Sequence, residues 1–318
     1  MLFPYHSRLK PFNQVKYKAL RKSILQASNA AAVLQDHHKG SYINLPNVQN
    51  QISPLILSFG ASDPVGSIGI QADLASFTAM GCHGLPVTTC ILVGDTSQVD
   101  DVHPLEADLV VDQARTILED MPVVAFKIGQ IASVENATAI AEIVSDYPDL
   151  PLVLDPFSSS IPDQGPDSED ILLAIRELLI PQATLLLISA VELSRLAETW
   201  KEGPNEEDMV ADVMYLIDSG CEYVFVTGTP AEGNDVANTL FNESGVVRND
   251  HWQRIPGLHV GAGNTLSASI AALLANGLEI PEAVLEAQEF TVAAINHAQR
   301  LGMGKLIPDR NFWAKEPE

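Results

Sequence analysis

The sequence predicts an α/β domain built on a doubly wound, mostly parallel sheet with helices on both faces. Three observations carry that prediction. From residue 51 onward, short apolar runs alternate with stretches of helical periodicity, the pattern of strand–helix–strand units. The 318 residues are enough for one large core, and 46% of them are hydrophobic, which excludes a disordered chain. With 20 Gly and 20 Pro, the chain is neither collagen-like nor of low complexity.

Taken in order, the predicted strands are Leu55–Phe59, Val87–Val93, Val123–Ile128, Leu152–Asp155, Leu185–Ile188 and Tyr223–Thr227. Between them, Ala107–Glu119, Ala132–Val144, Ser168–Leu179 and Glu207–Ser219 read as amphipathic helices. Residues 236–256 read as short strands around Asn242-Glu-Ser-Gly245, an antiparallel hairpin at the sheet edge. A helical pair closes the pattern, one member from Thr265 and the other from Pro281. Nothing splits the body, so 51–318 is predicted to be one domain.

Residues 1–50 are set apart by charge. Positions 1–40 hold seven Lys/Arg and a single acid, Asp36. A basic, poorly ordered extension is expected there. It lacks the apolar core of a secretory signal, and both a transit peptide and a plain basic arm fit its composition. Over the whole chain 41 acids face 18 bases, a net charge of −23, which repels phosphate backbones and argues against nucleic acid. No apolar run approaches the roughly 20 residues needed to span a bilayer, so no membrane partner is expected. Cys82, Cys90 and Cys221 lack CxxC spacing, which suggests neither a disulfide framework nor a zinc site and fits a reducing, cytoplasmic interior.

Ligands of such sheets collect at the carboxyl ends of the strands. Two Gly-rich turns fall there. The first, Gly60-Ala-Ser-Asp63-Pro64-Val-Gly66-Ser-Ile-Gly69, follows a strand and precedes a helix near Ile70. It has neither dinucleotide spacing nor the Lys-Ser/Thr of a Walker A loop. The second, Gly261-Ala-Gly263-Asn264-Thr265, opens a helix whose Leu266, Ile270, Leu273 and Leu274 share a face. Two glycines at a helix start expose amides and the positive dipole end, which suits phosphate; an ordinary turn capped by Asn264 or Thr265 is the alternative. Asp155 and Glu192, just past strand ends, are candidates to hold Mg²⁺ against nucleotide phosphates, or else to cap helices. Asp73, a turn into the first helix, either caps it or faces the first loop's ligand.

Together these motifs resemble a known family. Ser58-Phe-Gly-Ala-Ser-Asp63-Pro-Val-Gly66-Ser-Ile-Gly-Ile-Gln-Ala-Asp73 is similar to the opening signature of the hydroxymethylpyrimidine/phosphomethylpyrimidine kinases. Phe126-Lys-Ile-Gly129, Leu152-Val-Leu-Asp-Pro156 and Gly261-Ala-Gly-Asn-Thr-Leu-Ser267 follow in the family's order. The tail Gly302-Met-Gly-Lys-Leu-Ile-Pro-Asp-Arg-Asn-Phe-Trp313 resembles one bacterial branch. The resemblance runs from about 53 to 314. It implies a ribokinase-like fold, a homodimer, and ATP- and Mg²⁺-dependent phosphorylation of a pyrimidine alcohol and then its monophosphate, for thiamine biosynthesis. It further implies that Gly261, Gly263 and Asn264 form the anion site, that Thr227 and Gly228 join Gly261 and Gly263 in holding the nucleotide, and that Asp155 and Glu192 serve the metal. Asp63, Gly66, Asp73, Gly94 and Gln130 fall on the substrate side.

The departures from the family pattern cluster at this site. Asn264 stands where the family has a cysteine proposed to act on the substrate hydroxyl. An amide accepts no proton at neutral pH, and general-base help is worth about 10²–10⁴-fold. Gly94 stands where a Gln reads the pyrimidine edge, Ile188-Ser189-Ala190 replaces Thr-Pro-Asn, and Gln130 replaces a Met, offering a substitute amide. Two further readings therefore stay open: a catalytically weakened, kinase-like ligand-binding protein, and a kinase of another heteroaromatic alcohol such as pyridoxine.

Overall fold

Strand β1 (Leu55–Ser62) is buried along nearly its whole length, because it lies inside a parallel sheet covered on both faces. The computed structural model describes residues 53–157, 166–201 and 208–314, and the predicted basic extension over 1–50 lies outside the described residues. Beside β1 lie β2 (His83–Gly94), β4 (Val123–Ile128), β5 (Leu152–Leu154), β6 (Leu185–Ser189) and β7 (Tyr223–Pro230), all parallel. Three antiparallel strands complete the edges: β3 (Val99–Pro104) on β2, then β8 (Asp235–Asn242) on β7 and β9 (Gly245–Gln253) on β8. The order β3-β2-β1-β4-β5-β6-β7-β8-β9 places the switch of chain direction between β1 and β4.

The helices divide between the two faces. Along β1, Leu55, Leu57 and Phe59 pack on one side and Ile56 on the other, as a period of two requires. The first side is covered by α2 (Ala107–Asp120), α3 (Val134–Ser145), α4 (Pro166–Ala174), α5 (Ala190–Ala197) and α6 (Met209–Asp218). The second is covered by α1 (Gly69–Ala79), α7 (Ala262–Ala275) and α8 (Ile280–Asn296). Small residues let α7 lie close: Ser267, Ala268, Ser269, Ala271 and Ala272 are all buried beneath it. Each face then removes apolar surface from water at about 25 cal/mol per Å².

The predicted strands, the edge hairpin and the final helical pair are all present, with boundaries displaced by local chemistry. Ser133 accepts a bond from the Asn136 amide (3.1 Å) and caps α3, so that helix begins at Val134 instead of Ala132. The stretch predicted as one helix over Ser168–Leu179 ends as a π turn over Ile175–Leu179, then a 3₁₀ turn containing Pro181. Strand β3 was not predicted. Its sequence, Val-Asp-Asp-Val-His-Pro, carries little apolar signal because it is a solvent-exposed edge.

Candidate functional site

Because six strands run parallel, the loops after β1, β4, β5, β6 and β7 leave the sheet at one rim. The first Gly-rich turn is organised by Asp63. Its Oδ2 accepts from the Ser67 amide (2.8 Å), the Ser67 hydroxyl (2.8 Å) and the Ile68 amide (2.9 Å), while Oδ1 accepts from the Val65 amide (2.9 Å). Gly69 is required where this turn enters α1: its φ is 62°, and a Cβ there would sit 2.1 Å from the Ala61 carbonyl oxygen.

The second turn behaves differently. Gly261, not Asn264 or Thr265, is the N-cap of α7, in left-handed conformation (φ 88°) and without a side-chain cap. That corrects the capping alternative: Thr265 instead turns its hydroxyl back onto the Gly261 carbonyl (2.7 Å). The amides of Ala262, Gly263 and Asn264 have no acceptor among the described residues. Nothing lies within 4 Å of the position a Cβ would take at Gly263. Three free N–H groups at the positive end of a 14-residue helix make a cradle for an anion.

Between the first turn and the turn after β2 lies a shallow depression, lined among others by Asp63, Ser67, Gly94, Thr96, Val260 and Lys305. Val260, which lines it, immediately precedes the α7 turn. Gly94 leaves no room for a larger residue, since a Cβ would meet the Gln98 carbonyl oxygen at 2.5 Å. The tail crosses the same turn: the Lys305 amide donates to the Thr96 carbonyl (2.8 Å), and the Gly304 amide to the Thr96 hydroxyl (3.0 Å). Gln130, following β4, has a buried Oε1 with no hydrogen-bond partner among the described residues.

Beneath the rim lies a buried charge cluster. Lys127 and Asp73 are both fully buried and 3.0 Å apart, and Asp73 Oδ2 also accepts from the Ser58 hydroxyl (2.8 Å). Asp73 thus neutralises a lysine that the sheet buries and does not cap α1. Breaking such a pair costs about 3–5 kcal/mol. Asp155 accepts from the Ser267 hydroxyl of α7 (2.6 Å). Burial pushes its carboxyl up to about 7, opposed by Lys127 and Ser267 and reinforced by Glu192 and Asp73. Glu192 completes a capping box on α5, its Oε2 accepting from the Ser189 amide (2.8 Å). At the end of β7, Gly228 (φ 73°) is tied by its amide to Asn238 Oδ1 (2.9 Å), and Thr227 precedes it.

These residues fit a nucleotide with its metal. Mg²⁺ is held by one or two carboxylates plus substrate phosphates and needs no all-protein cage. Asp155 and Glu192 are near enough for Glu192 to raise Asp155, a repulsion that a cation relieves. Among the described residues no three His, Cys, Asp or Glu side chains converge as a self-sufficient metal site. No described helix is long and apolar enough to cross a membrane.

Sequence reasoning singles out the α7 turn, Asp63, Asp155 and Glu192, and it assigns no place to Lys127, Lys305, Ser267 or Arg310. A lysine inside the apolar run Val123–Ile128 was the available signal for Lys127, because a buried ammonium demands a counter-charge.

The comparisons with known proteins agree with this geometry. The phosphomethylpyrimidine kinase family model matches residues 63–309. A hydroxymethylpyrimidine/phosphomethylpyrimidine kinase of Streptomyces coelicolor is 31% identical over 265 residues, 82% of this chain and 95% of the relative. Among solved structures, an ADP complex of Bacillus subtilis pyridoxal kinase has a TM-score of 0.71 at 27% identity, covering 81% of this chain and 98% of that one. A phosphomethylpyrimidine kinase of Clostridium difficile has a TM-score of 0.63 at 28% identity, covering 76% of this chain and all of its own. The chain belongs to the phosphomethylpyrimidine kinase family, phosphotransferases with a ribokinase-like fold.

Proposed function

We propose that this protein phosphorylates hydroxymethylpyrimidine and its monophosphate with ATP, in the synthesis of thiamine. The observation that carries the reading is the row of three free amides at the start of α7, beside the Asp63 turn at the same rim of the sheet. ATP supplies the phosphoryl group and Mg²⁺ offsets its charge. Gly261 starts the helix, and Ala262, Gly263 and Asn264 present amides to the oxygens on which charge develops, the interaction that dominates phosphoryl transfer. Asp155 and Glu192 serve the metal, and Thr227 and Gly228 the nucleotide. Asp63 holds the wall of the depression through its loop, Gly66 turns that loop, and Gly94 and Gln130 complete the substrate side.

Asn264 is half-buried and its amide cannot take a proton. An alcohol must lose one during transfer, whereas a phosphate monoester oxygen is already anionic at neutral pH. The monophosphate is therefore the better substrate of this chain. Three buried, unpaired thiols suit a reducing cytoplasm, and the exposed Ile91 and Val93 of β2 give a homodimer an apolar face.

ATP consumption with the alcohol, the monophosphate and pyridoxine tests the reading. The expected order is monophosphate above alcohol. Asn264→Cys should raise turnover of the alcohol at least about tenfold more than that of the monophosphate. Equal gains reject the role given to Asn264. Turnover of pyridoxine alone replaces the substrate assignment, and no turnover of any, with thermal stabilisation by ligand, makes the protein a binder.

A further inference from the structure

Arg310 follows α8 in the tail and is only 5% exposed. Its guanidinium meets no carboxylate at ion-pair distance among the described residues; its bonds go to neutral oxygens of the two Gly-rich turns. Nε donates to the Thr265 hydroxyl (3.0 Å), Nη1 to the Gly66 carbonyl (3.3 Å), and Nη2 to the carbonyls of Ser67 (2.8 Å) and Gly261 (3.3 Å). Burial lowers the guanidinium to about 10, against the pull of Asp73 and Asp63, so it stays charged at neutral pH.

The reason a cation is needed there is geometric. Gly66 (φ 72°) and Gly261 (φ 88°) aim their carbonyls inward, and the turns are so close that a Cβ on Gly261 would lie 1.8 Å from the Ser67 oxygen. Three carbonyl oxygens converging from two turns repel one another, and a planar fork of donors draws them together. The tail is itself anchored: the Asp309 amide donates to the Ala294 carbonyl (3.0 Å), and the Phe312 ring packs on Phe290 and His297 at 5.7 and 5.1 Å.

We propose that Arg310 is a positioning residue for phosphoryl transfer, fixing the substrate-side turn at 63–68 against the amide cradle at 262–264. The inference rests on the kinase reading above and adds to it a residue that touches neither ligand. Losing the clamp widens the gap between acceptor and cradle, and a misplacement of about 1 Å costs roughly 10²-fold in rate. Such a loss falls on kcat, because each ligand still meets its own turn.

The test is steady-state kinetics of the full chain with ATP and the pyrimidine monophosphate, alongside thermal melts. Arg310→Met should lower kcat about 10²-fold with both KM values within about threefold of wild type, and Arg310→Lys should recover part of that loss. If Arg310→Met does not fold, Thr265→Val removes the hydroxyl that takes the Nε bond and should lower kcat about fivefold at unchanged KM. Wild-type kcat in these variants overturns the clamp, as do losses confined to KM or losses that grow in step with a fall in melting temperature. An inactive wild type overturns the kinase reading instead. The clamp is then read from amide hydrogen exchange in the 65–68 turn, which Arg310→Met must speed at least about tenfold for the proposal to stand.

Discussion

Two glycine-rich turns meet at the rim of the sheet, similar in composition and opposite in what they offer. The turn at 60–69 is saturated: Asp63 accepts four bonds from within the turn, and Gln71 ties the Asp63 amide (2.9 Å) to the Ser62 hydroxyl (3.0 Å). The turn at 261–265 has no side-chain acceptor and leaves its amides free. The first turn carries its own anion; the second waits for one. Glycine count does not separate a wall from a binding cradle. The presence of an internal carboxylate does, because backbone amides gathered by a turn bind whichever anion is nearest.

The largest way to break this contrast is Gly261→Ala. A left-handed backbone costs a residue with a Cβ about 1–2 kcal/mol, and contact at 1.8 Å with the Ser67 oxygen forces the turns apart. The expected loss is at least about 3 kcal/mol of stability, together with about 10³-fold of kcat. Denaturant melts and kinetics check it; a wild-type melting temperature would mean that the turns are not in contact.

Legibility in the sequence follows the same division between local and distant partners. Central strands such as Val123–Ile128 were readable because burial on both faces demands a continuous apolar run. The α7 turn was readable because its amides belong to consecutive residues. Glu192 was readable as a carboxylate but ambiguous in role, since the Ser189 bond that makes it a cap depends on which residue is the N-cap. The ion pair of Asp73 was hidden for a different reason. Asp73 lies on α1 and its partner Lys127 on β4, and only the packing of that helix on the sheet brings the two within 3.0 Å. Arg310 is the extreme case, 243 residues from the Ser67 carbonyl it holds. No local pattern announces a contact of that span.

Asp63→Ala sharpens the comparison by turning the closed loop into an open one. It removes an ionised acceptor from four donors, leaving buried amides unsatisfied at about 1–3 kcal/mol of stability. The amides of Val65, Ser67 and Ile68 should then accept a free anion. Inorganic sulfate is expected to raise the melting temperature of Asp63→Ala by several degrees more than that of wild type. Equal shifts would show that the turn collapses once its carboxylate is gone, and that Asp63 builds the nest as well as filling it.

The smallest effect is expected at Gly263, two residues from the most sensitive position. It lies inside α7, and no atom stands within 4 Å of a new Cβ. Alanine is favoured over glycine in a helix by up to about 1 kcal/mol, so Gly263→Ala should leave stability unchanged or slightly raised. The amide survives the substitution, and with it the hydrogen bond to a bound anion. What changes is the space in front of it. A methyl group there should raise KM for ATP a few-fold while kcat holds within about threefold, because a phosphate held at a slightly greater distance binds less well before transfer and during it alike. A fall in kcat with unchanged KM would place the developing charge, and not the resting phosphate, against Gly263.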